Sequence, residues 1–214
     1  SFTKTWQSRF YGSGYDSIQT VLNVNLNGDD LPDLAVREIY GGRMVTLFGT
    51  NSASPFVERS ETYLGERTFA LAAGRGNGDG LDDLYIGGAK DHPGSLFVQK
   101  TGGQFQLTNQ ALFENDKLSE DAGSLFFDAD GDGDTDLYVA SGGNEFVAGH
   151  SALADRLYLN DGRGNFSKSP QLLPTPRAES TSCVAAADYD QDGDLDLFVG
   201  VRLRPELYGV PCNG

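Results

Sequence analysis

Short apolar runs typical of β-strands recur along the whole chain. In each unit a run such as CVAAADYD leads into an acidic segment, and a second run such as DLFVG follows it. Next comes a Leu followed by an aromatic residue, and a Phe stands nine residues after that Leu, beyond a polar turn. This pattern predicts two strands joined as a hairpin. It occurs at Leu47–Phe56, Leu96–Phe105 and Leu157–Phe166.

The acidic segment repeats, and each copy ends in an Asp that precedes a Leu. We call the copies acidic loops 1 to 4; they are Asn25–Asp33, Arg75–Asp83, Asp128–Asp136 and Asp188–Asp196. Their last residues are 50, 53 and 60 positions apart, so four units fill the chain. Four short antiparallel strands per unit are what a propeller blade requires. The sequence therefore predicts an all-β fold, a β-propeller of four-stranded antiparallel blades with four repeats in this chain.

The repeats place the blades of this single propeller, or propeller fragment, at approximately 10–60, 61–110, 111–170, and 171–214 plus 1–9. The last hairpin begins at Leu207 but the chain stops at Gly214. Continuing from Gly214 to Ser1 places Phe2 nine positions after Leu207, as in the other hairpins. The N-terminal strand is therefore expected to complete the last blade. A cut inside a hairpin of a longer propeller explains the same match, since loop tips tolerate cutting.

The net charge narrows the range of partners. The 214 residues carry a charge of −15, which argues against nucleic acids and anionic membrane surfaces. No apolar run approaches the roughly 20 residues that cross a bilayer, so we expect no membrane insertion. The chain begins without Met and shows no signal peptide, which indicates a processed product or an excised piece.

Loop 4 shows the chemistry of the acidic segments most clearly. Its side-chain oxygen donors at positions one, three, five and nine are Asp188, Asp190, Asp192 and Asp196. Gly193 at position six permits a sharp bend, and Asp194 at position seven would offer its backbone carbonyl. Hard oxygen donors in this number suit Ca²⁺. The loop is not an EF-hand, because position twelve is Val199 instead of Glu and strands flank it.

The acidic loops, the DLFV strand and the GNF hairpin resemble the FG-GAP/VCBS repeats of integrin α-subunit propellers. They are more similar still to the bacterial and cartilage-acidic-protein relatives that carry such repeats. The resemblance covers essentially the whole chain. It implies one Ca²⁺ in each loop, between the first two strands of a blade, and a ligand-binding face opposite the calcium loops. Such propellers usually have more than four blades, so this chain departs from the family pattern.

Carried over by this resemblance, the calcium sites are unequal. Loop 3 would use Asp128, Asp130, Asp132, Asp136 and the carbonyl of Asp134. Loop 1 would use Asn25, Asn27, Asp29, Asp33 and the carbonyl of Leu31. Loop 2 would use Asn77, Asp79 and Asp83. Loop 1 has two charges and Asp30 in place of Gly, so it should bind more weakly. In loop 2 the guanidinium of Arg75 could replace the metal. We expect two or three Ca²⁺ ions, with loop 2 the weakest or empty.

The calcium is expected to be structural, because five protein groups around an ion leave little room for a substrate. No nucleophile elbow, phosphate loop or zinc spacing appears, so we expect no enzyme. The predicted function is extracellular recognition or adhesion, through a protein or glycan bound opposite the calcium loops. The alternative is a carbohydrate-binding lectin or a polysaccharide-active enzyme. Free sugar should displace the ligand of a lectin, and an enzyme should turn over polysaccharide.

The face opposite the calcium loops would carry the connections between strands and between blades. The segments concerned are Gln7–Ser17, Ser141–Arg156 and Val201–Glu206. Their exposed candidates for ligand contact are Tyr11, Tyr15, Phe146, His150, Arg202 and Arg204. Taken singly, each of these residues is more often an exposed residue without a binding role than a ligand contact. The second segment is the longest insertion, and long loops on a rigid scaffold often carry function.

The cysteines are not expected to form a disulfide. Cys183 lies five residues before Asp188, whereas Cys212 lies in the hairpin turn beside the calcium loop. Five extended residues span about 16 Å, beyond the roughly 7 Å limit for a disulfide, so we predict free or buried thiols. Millimolar extracellular Ca²⁺ suits such loops, which places the protein outside the cell, on its surface or in the periplasm. A split last blade also permits head-to-tail self-association.

Overall fold

The computed structural model describes residues 18–29, 31–38, 43–52, 56–63, 68–100, 104–170, 173 and 178–203. In these ranges the fold is all-β, with fourteen strands in antiparallel sheets and two short helical segments. The chain divides into two compact units, residues 1–68 and residues 69–214. The first unit contains one sheet, and the second contains three.

The first sheet has four strands in sequence order. They are β1 (Ile18–Val24), β2 (Asp33–Glu38), β3 (Arg43–Gly49) and β4 (Phe56–Tyr63). Strand alternation places Val36, Val45 and Leu47 on one buried face, where Leu34 and Phe56 pack against them. The sheet therefore has an apolar cluster of its own.

The second unit repeats the same order twice and then begins it a third time. The second sheet contains β5 (Thr68–Gly74), β6 (Asp83–Gly88), β7 (Ser95–Lys100) and β8 (Gln104–Thr108). The third contains β9 (Glu120–Phe127), β10 (Asp136–Gly142), β11 (Arg156–Asn160) and β12 (Phe166–Lys168). The fourth sheet, in its described part, contains β13 (Ser180–Ala187) and β14 (Asp196–Leu203).

The hairpins predicted from the Leu-to-Phe spacing are confirmed. Strands β3 and β4, β7 and β8, and β11 and β12 pair antiparallel. The pairs nearest the turns are Gly49 with Phe56, Lys100 with Gln104, and Asn160 with Phe166. The hairpin expected from Leu207 through Gly214 to the N-terminal residues 1–9 lies outside the described residues.

The second and third sheets share an apolar core. Tyr85 and Leu96 from the second sheet meet Leu137 and Val139 from the third. A helix not foreseen in the sequence, α1 (Gln110–Glu114), inserts Phe113 between the two sheets. The ring of this Phe lies 5.3 Å from that of Tyr85 and 5.2 Å from that of Tyr158. These distances are typical of favourable aromatic pairs.

A second core lies between the third and fourth sheets. Its buried members are Phe127, Tyr138, Ala140 and Leu157 of the third sheet. Val184, Ala186 and Val199 of the fourth sheet pack against them. Each consecutive pair of sheets in this unit therefore packs face to face, as repeat architectures require.

A buried ion pair within the third sheet also accepts hydrogen bonds from the second sheet. Arg156 on β11 donates to Asp121 on β9 at 2.5 Å, and the two side chains are only 6% and 2% exposed. The other carboxylate oxygen of Asp121 accepts the hydroxyl of Tyr85 and the backbone N–H of Gly88, each at 2.8 Å. One carboxylate thus satisfies donors from both sheets, which a buried charge requires.

Candidate metal centres

The four acidic loops share one pattern of hydrogen bonds from backbone N–H groups to side-chain oxygens. In each loop, position three accepts the N–H of position five, at distances from 2.9 to 3.3 Å. Position five accepts the N–H of position seven, at distances from 2.8 to 3.1 Å. Such turns are a property of Asn and Asp side chains, which explains why these residues alternate.

Positions four and six are left-handed in loops 2, 3 and 4, and position four is left-handed in loop 1. At position six the φ angles of Gly80, Gly133 and Gly193 are 87°, 95° and 100°, as the sequence analysis expected of a bend. At position four, Gly28, Gly78 and Gly131 also have positive φ. Loop 4 has Gln191 there, with φ at 63°. Positive φ strains an L-residue by about 1–2 kcal/mol, so loop 4 stores strain that the other loops avoid.

Replacing Gln191 with Gly is expected to raise the free energy of unfolding by about 0.5–1 kcal/mol. The gain is the relieved left-handed strain less the entropy that Gly loses on folding. Urea denaturation at saturating Ca²⁺ measures it. The reciprocal change, Gly131→Gln in loop 3, should lower the stability by a similar amount. Equal stabilities for wild type and both variants would contradict the strain at position four.

In loops 1, 2 and 3 the Asp at position nine connects the loop to the third strand of its sheet; in loop 4 the residues after 203 lie outside the described part. One oxygen of this Asp accepts the N–H of position two, at 2.7 Å in loop 1, 2.8 Å in loop 3 and 3.0 Å in loop 4. The other accepts a backbone N–H at the end of the third strand. These third-strand donors are Gly49, Gln99 and Asn160. Position nine therefore has a structural role that the sequence analysis, which treated it as a metal ligand only, did not find.

Burial raises the pKa of two of the position-nine carboxylates, those of Asp83 and Asp136. Asp33, Asp83 and Asp136 are fully buried. Desolvation raises the pKa of Asp83 to about 6, against the backbone hydrogen bond from Gln99 that lowers it. Desolvation also raises the pKa of Asp136. A nearby cation would favour the ionised form of each, so these loops are suited to holding one.

Loops 3 and 4 bring their carboxylates together. In loop 3, Asp128, Asp130 and Asp136 each place a carboxylate oxygen within 4.8 Å of the others. In loop 4, Asp188, Asp190 and Asp196 do the same. Asp132 and Asp192 at position five lie in the same loops and accept the N–H of position seven. The donors are hard oxygens, a set that suits Ca²⁺.

Loops 1 and 2 each contain a side-chain hydrogen bond to one of their carboxylates. Asn27 donates its amide N–H to the carboxylate of Asp29 at 2.8 Å, and Asn77 donates to Asp79 at 3.0 Å. An ionised Asp at position three has no such donor, and loops 3 and 4 carry Asp there. The loops therefore form two pairs, loops 1 and 2 and loops 3 and 4. Loops 3 and 4 have more carboxylate charge for a cation to balance.

Loop 2 differs from expectation at position one. The side chain of Arg75 is 63% exposed, and its Nε lies 4.0 Å from a carboxylate oxygen of Asp82. The guanidinium thus lies at the rim of the loop, not among the candidate ligands. In loop 3 the residue at this position, Asp128, accepts the N–H groups of Gly131 and Gly133 at 2.8 and 3.0 Å. Arg has no acceptor atom for such bonds. Loop 2 therefore lacks the two hydrogen bonds by which position one holds loop 3 together.

The hairpin turn at residues 161–165 lies against loops 2 and 3. Asn160 at its base donates to the carbonyls of Gly76 and Thr135, at 2.6 and 3.0 Å. Gly162 lies so close to Asp134 that a Cβ there would stand 2.6 Å from a carboxylate oxygen. The side chain of Asp134 therefore faces the turn, which leaves its backbone carbonyl as the group available to an ion in loop 3.

Comparison with known protein families shows which family this chain belongs to. A model of the FG-GAP-like repeat matches residues 76–139, which include loop 2 from its second residue and all of loop 3, and residues 128–199, which include loops 3 and 4. The chain belongs to the FG-GAP-like repeat family. The resemblance seen in the sequence is thereby confirmed. No curated protein matches the chain.

The two matches of the FG-GAP-like repeat overlap at loop 3 and leave loop 1 outside. Loop 1 carries Asp30 where the other loops have Gly at position six. Loop 3 is the copy that both matches contain, and it carries five aspartates at alternate positions. The family assignment therefore depends most on the loops with the highest carboxylate content.

The FG-GAP-like repeats also carry a long connection between β10 and β11. Phe146 and His150 in this connection stack with ring centroids 4.3 Å apart and an interplanar angle of 16°. Lys90 places its ammonium 5.9 Å from the Phe146 ring, a contact that the sequence analysis missed. His150 also accepts the N–H of Ala152 at 3.1 Å. Phe146 thus contacts both His150 and Lys90, which holds this part of the loop together.

The remaining candidates are partly outside the described residues. Arg202 is exposed. Burial and the neighbouring charge of Glu145 raise the pKa of Glu120, and the charge of Arg202 opposes this rise. Tyr11, Tyr15 and Arg204 lie outside the described part. Cys183 is a free, exposed cysteine; Cys212 also lies outside. Within the described ranges, no helix is long and apolar enough to span a bilayer.

Proposed function

We propose that this chain is a calcium-stabilised β-propeller module whose role is extracellular recognition or adhesion. The observation that carries the proposal is the convergence of carboxylate oxygens to within 4.8 Å in loops 3 and 4. Three like charges at such distances repel one another unless a cation lies near them. Membership in the FG-GAP-like repeat family supports recognition as the role of such a module.

The proposed calcium sites use the side chains that converge and the carbonyl of position seven. Loop 3 supplies Asp128, Asp130, Asp132, Asp136 and the carbonyl of Asp134. Loop 4 supplies the corresponding residues 188, 190, 192, 196 and 194. When bound, Ca²⁺ would neutralise these charges and stabilise the folded loops. Loop 1 would be weaker, and loop 2 the weakest or empty, because each already pairs an Asn with an Asp.

The propeller is supported by the order of the strands and by sheet packing. Three sheets have four antiparallel strands in sequence order, which is the arrangement of a blade. The second sheet packs on the third, and the third on the fourth. We propose that residues 1–9 complete the last blade, either within one chain or by head-to-tail exchange between chains. The expected location is extracellular, at the cell surface or in the periplasm.

The proposed recognition surface is the end of the sheets opposite the acidic loops. The connection between β10 and β11 lies there, since β10 begins at the loop and ends at this connection. Two contacts support an ordered binding loop. Phe146 and His150 stack, and the Gly149 N–H donates to the Ala178 carbonyl at 2.7 Å. A protein or glycan ligand would contact its exposed residues, which include Val147. The proposed module is not an enzyme.

Calorimetric titration of the full chain with Ca²⁺ tests the metal sites. We expect two strong sites. Asp130→Asn gives loop 3 the position-three residue of loops 1 and 2, and it should weaken one of these sites by about tenfold or more, since affinity follows ligand charge. Asp190→Asn should weaken the other site by a similar factor.

The matched control for the titration is Asp91→Asn. Asp91 is exposed, lies outside the acidic loops and pairs with Lys90. This variant should bind Ca²⁺ as the wild type does. Absence of binding to the wild type at millimolar Ca²⁺ would overturn the proposal. So would an equal loss of affinity in Asp91→Asn and Asp130→Asn, because the effect would then be one of net charge alone.

A further inference from the structure

Two of the acidic loops contain an Asn–Gly pair at positions three and four. The pairs are Asn27–Gly28 in loop 1 and Asn77–Gly78 in loop 2, whereas loops 3 and 4 have Asp at position three. A third pair, at 213–214, lies outside the described residues. Asn followed by Gly is the sequence most prone to spontaneous deamidation, because Gly has no side chain to hinder attack by its own backbone nitrogen. Loops 1 and 2 are therefore candidates for this modification.

Deamidation consumes water, releases ammonia and needs no oxidant or reductant. The backbone nitrogen of Gly loses its proton and attacks the Cγ atom of Asn, and the new C–N bond closes a succinimide ring. The Cγ–Nδ2 bond breaks, and Nδ2 leaves as ammonia with the proton that the Gly nitrogen gave up. Water then opens the ring at either of its carbonyls, which gives Asp or isoaspartate. The reaction therefore requires a Gly nitrogen that is free to attack.

The two Asn side chains make the same hydrogen bonds within their loops. In loop 1, Asn27 accepts the N–H of Asp29 at 2.9 Å and donates to its carboxylate at 2.8 Å. In loop 2, Asn77 makes the same two contacts with Asp79, at 3.1 and 3.0 Å. In both loops the accepted N–H polarises the Cγ atom that is attacked, and the following Gly is exposed to water. The Asn side chains therefore do not distinguish the two pairs.

The residue at position one does distinguish them. In loop 1, Oδ1 of Asn25 accepts the N–H of Gly28 at 2.8 Å, which holds the nitrogen that would attack. In loop 2 position one is Arg75, whose exposed guanidinium has no acceptor atom for the N–H of Gly78. Within the described ranges, no other hydrogen bond holds that N–H. The nitrogen of Gly78 is therefore the freer of the two to attack.

We propose that Asn77 is a site of spontaneous deamidation, and that the hydrogen bond from Gly28 to position one protects Asn27 from the same reaction. Deamidation would remove the N–H that Asn77 donates to Asp79 and add a negative charge beside that carboxylate. Loop 2 would then have an acidic residue at position three, as loops 3 and 4 have. This inference goes beyond the proposed function, because it depends on hydrogen bonds within the loops and not on calcium or a ligand.

Peptide mapping of the full chain tests the proposal. The protein is incubated in mildly alkaline buffer at saturating Ca²⁺ and digested with pepsin in acid, and mass spectrometry measures deamidation at each Asn over time. Asn77 should react about fivefold faster than Asn27, the factor that one neutral hydrogen bond supplies. The same order is expected in EDTA, at a temperature below the Tm in EDTA, because the protecting bond lies within the protein. An order seen only in Ca²⁺ would assign the protection of Asn27 to the ion and contradict the proposal.

Variants at position one separate the hydrogen bond from the charge. Arg75→Asn gives loop 2 the position-one residue of loop 1 and should slow Asn77 to the rate of Asn27. The matched control is Arg75→Met, which removes the charge but adds no acceptor, so Asn77 should react in it as fast as in the wild type. Asn25→Ala removes the acceptor from loop 1 and should raise the rate at Asn27 about fivefold.

Amide hydrogen exchange of the wild type, followed by NMR, provides a second measurement. The N–H of Gly78 should exchange at least about fivefold faster than that of Gly28, because only the latter is held by a side chain. Equal rates of deamidation at Asn27 and Asn77 in the wild type would overturn the proposal. So would an equal slowing of Asn77 in Arg75→Met and Arg75→Asn, because the charge at position one would then control the reaction.

Discussion

Replacing Arg156 with Met is expected to lower the free energy of unfolding by about 3–5 kcal/mol. The guanidinium lies in the interior and contacts Asp121, so its removal leaves a buried carboxylate without its positive partner. The donors that remain on that carboxylate, Tyr85 and Gly88, are neutral. Urea denaturation of the wild type and the variant at saturating Ca²⁺ measures the difference.

The control for this prediction is Arg163→Met. Arg163 is exposed in the hairpin turn at residues 161–165, and its replacement should change the stability by no more than about 0.5 kcal/mol. Adding Asp121→Asn to Arg156→Met should restore part of the lost free energy of unfolding, because it removes the unpaired buried charge. If Arg156→Met were as stable as Arg163→Met, the buried ion pair would contribute nothing to the stability of the fold.

Removing calcium with EDTA is expected to lower the Tm by about 10–30 °C. A site held at 100 to 1,000 times its Kd stabilises the folded state by about 3–4 kcal/mol, and two strong sites are proposed. For a protein of this size each kcal/mol corresponds to about 2–4 °C. Differential scanning calorimetry in Ca²⁺ and in EDTA measures the shift.

A variant carrying both Asp130→Asn and Asp190→Asn separates the metal from other effects of the chelator. It should melt at nearly the same temperature in Ca²⁺ and in EDTA, since both strong sites are weakened. An unchanged Tm of the wild type in EDTA would mean that the loops do not need a cation to fold. The shared pattern of backbone hydrogen bonds would then be sufficient to hold them.

The strands and loops were predictable because their determinants are local. An apolar run after an Asp–Leu pair, as at Asp136–Val139, specifies a strand by its period, and Asn and Asp at alternate positions specify successive turns. The hairpins at Leu96–Phe105 and Leu157–Phe166 followed from repeated spacing in the same way. The repetition strengthened the prediction, because the same spacing occurred in several copies along the chain.

The features that were not predicted depend on residues distant in sequence. Arg156 and Asp121 are 35 positions apart, and nothing in the local pattern pairs them. The second hydrogen bond of Asp136, from the Asn160 N–H, spans 24 positions. Helix α1 is only five residues long, and its role is to place Phe113 between two sheets. Tertiary packing decides such features, so sequence periodicity does not reveal them.

The bridge that the last Asp makes in loops 1, 2 and 3 bears on how such chains can lengthen by duplication. Because the carboxylates of Asp33, Asp83 and Asp136 each accept an N–H of the third strand of their own sheet, the bonds that fasten these loops begin and end inside one repeat. Gene duplication can then copy a whole repeat together with its fastening. Only the faces between neighbours, such as the pair of Tyr85 and Asp121, need to be adjusted afterwards. Variation among repeats should therefore accumulate at those faces and spare the last Asp.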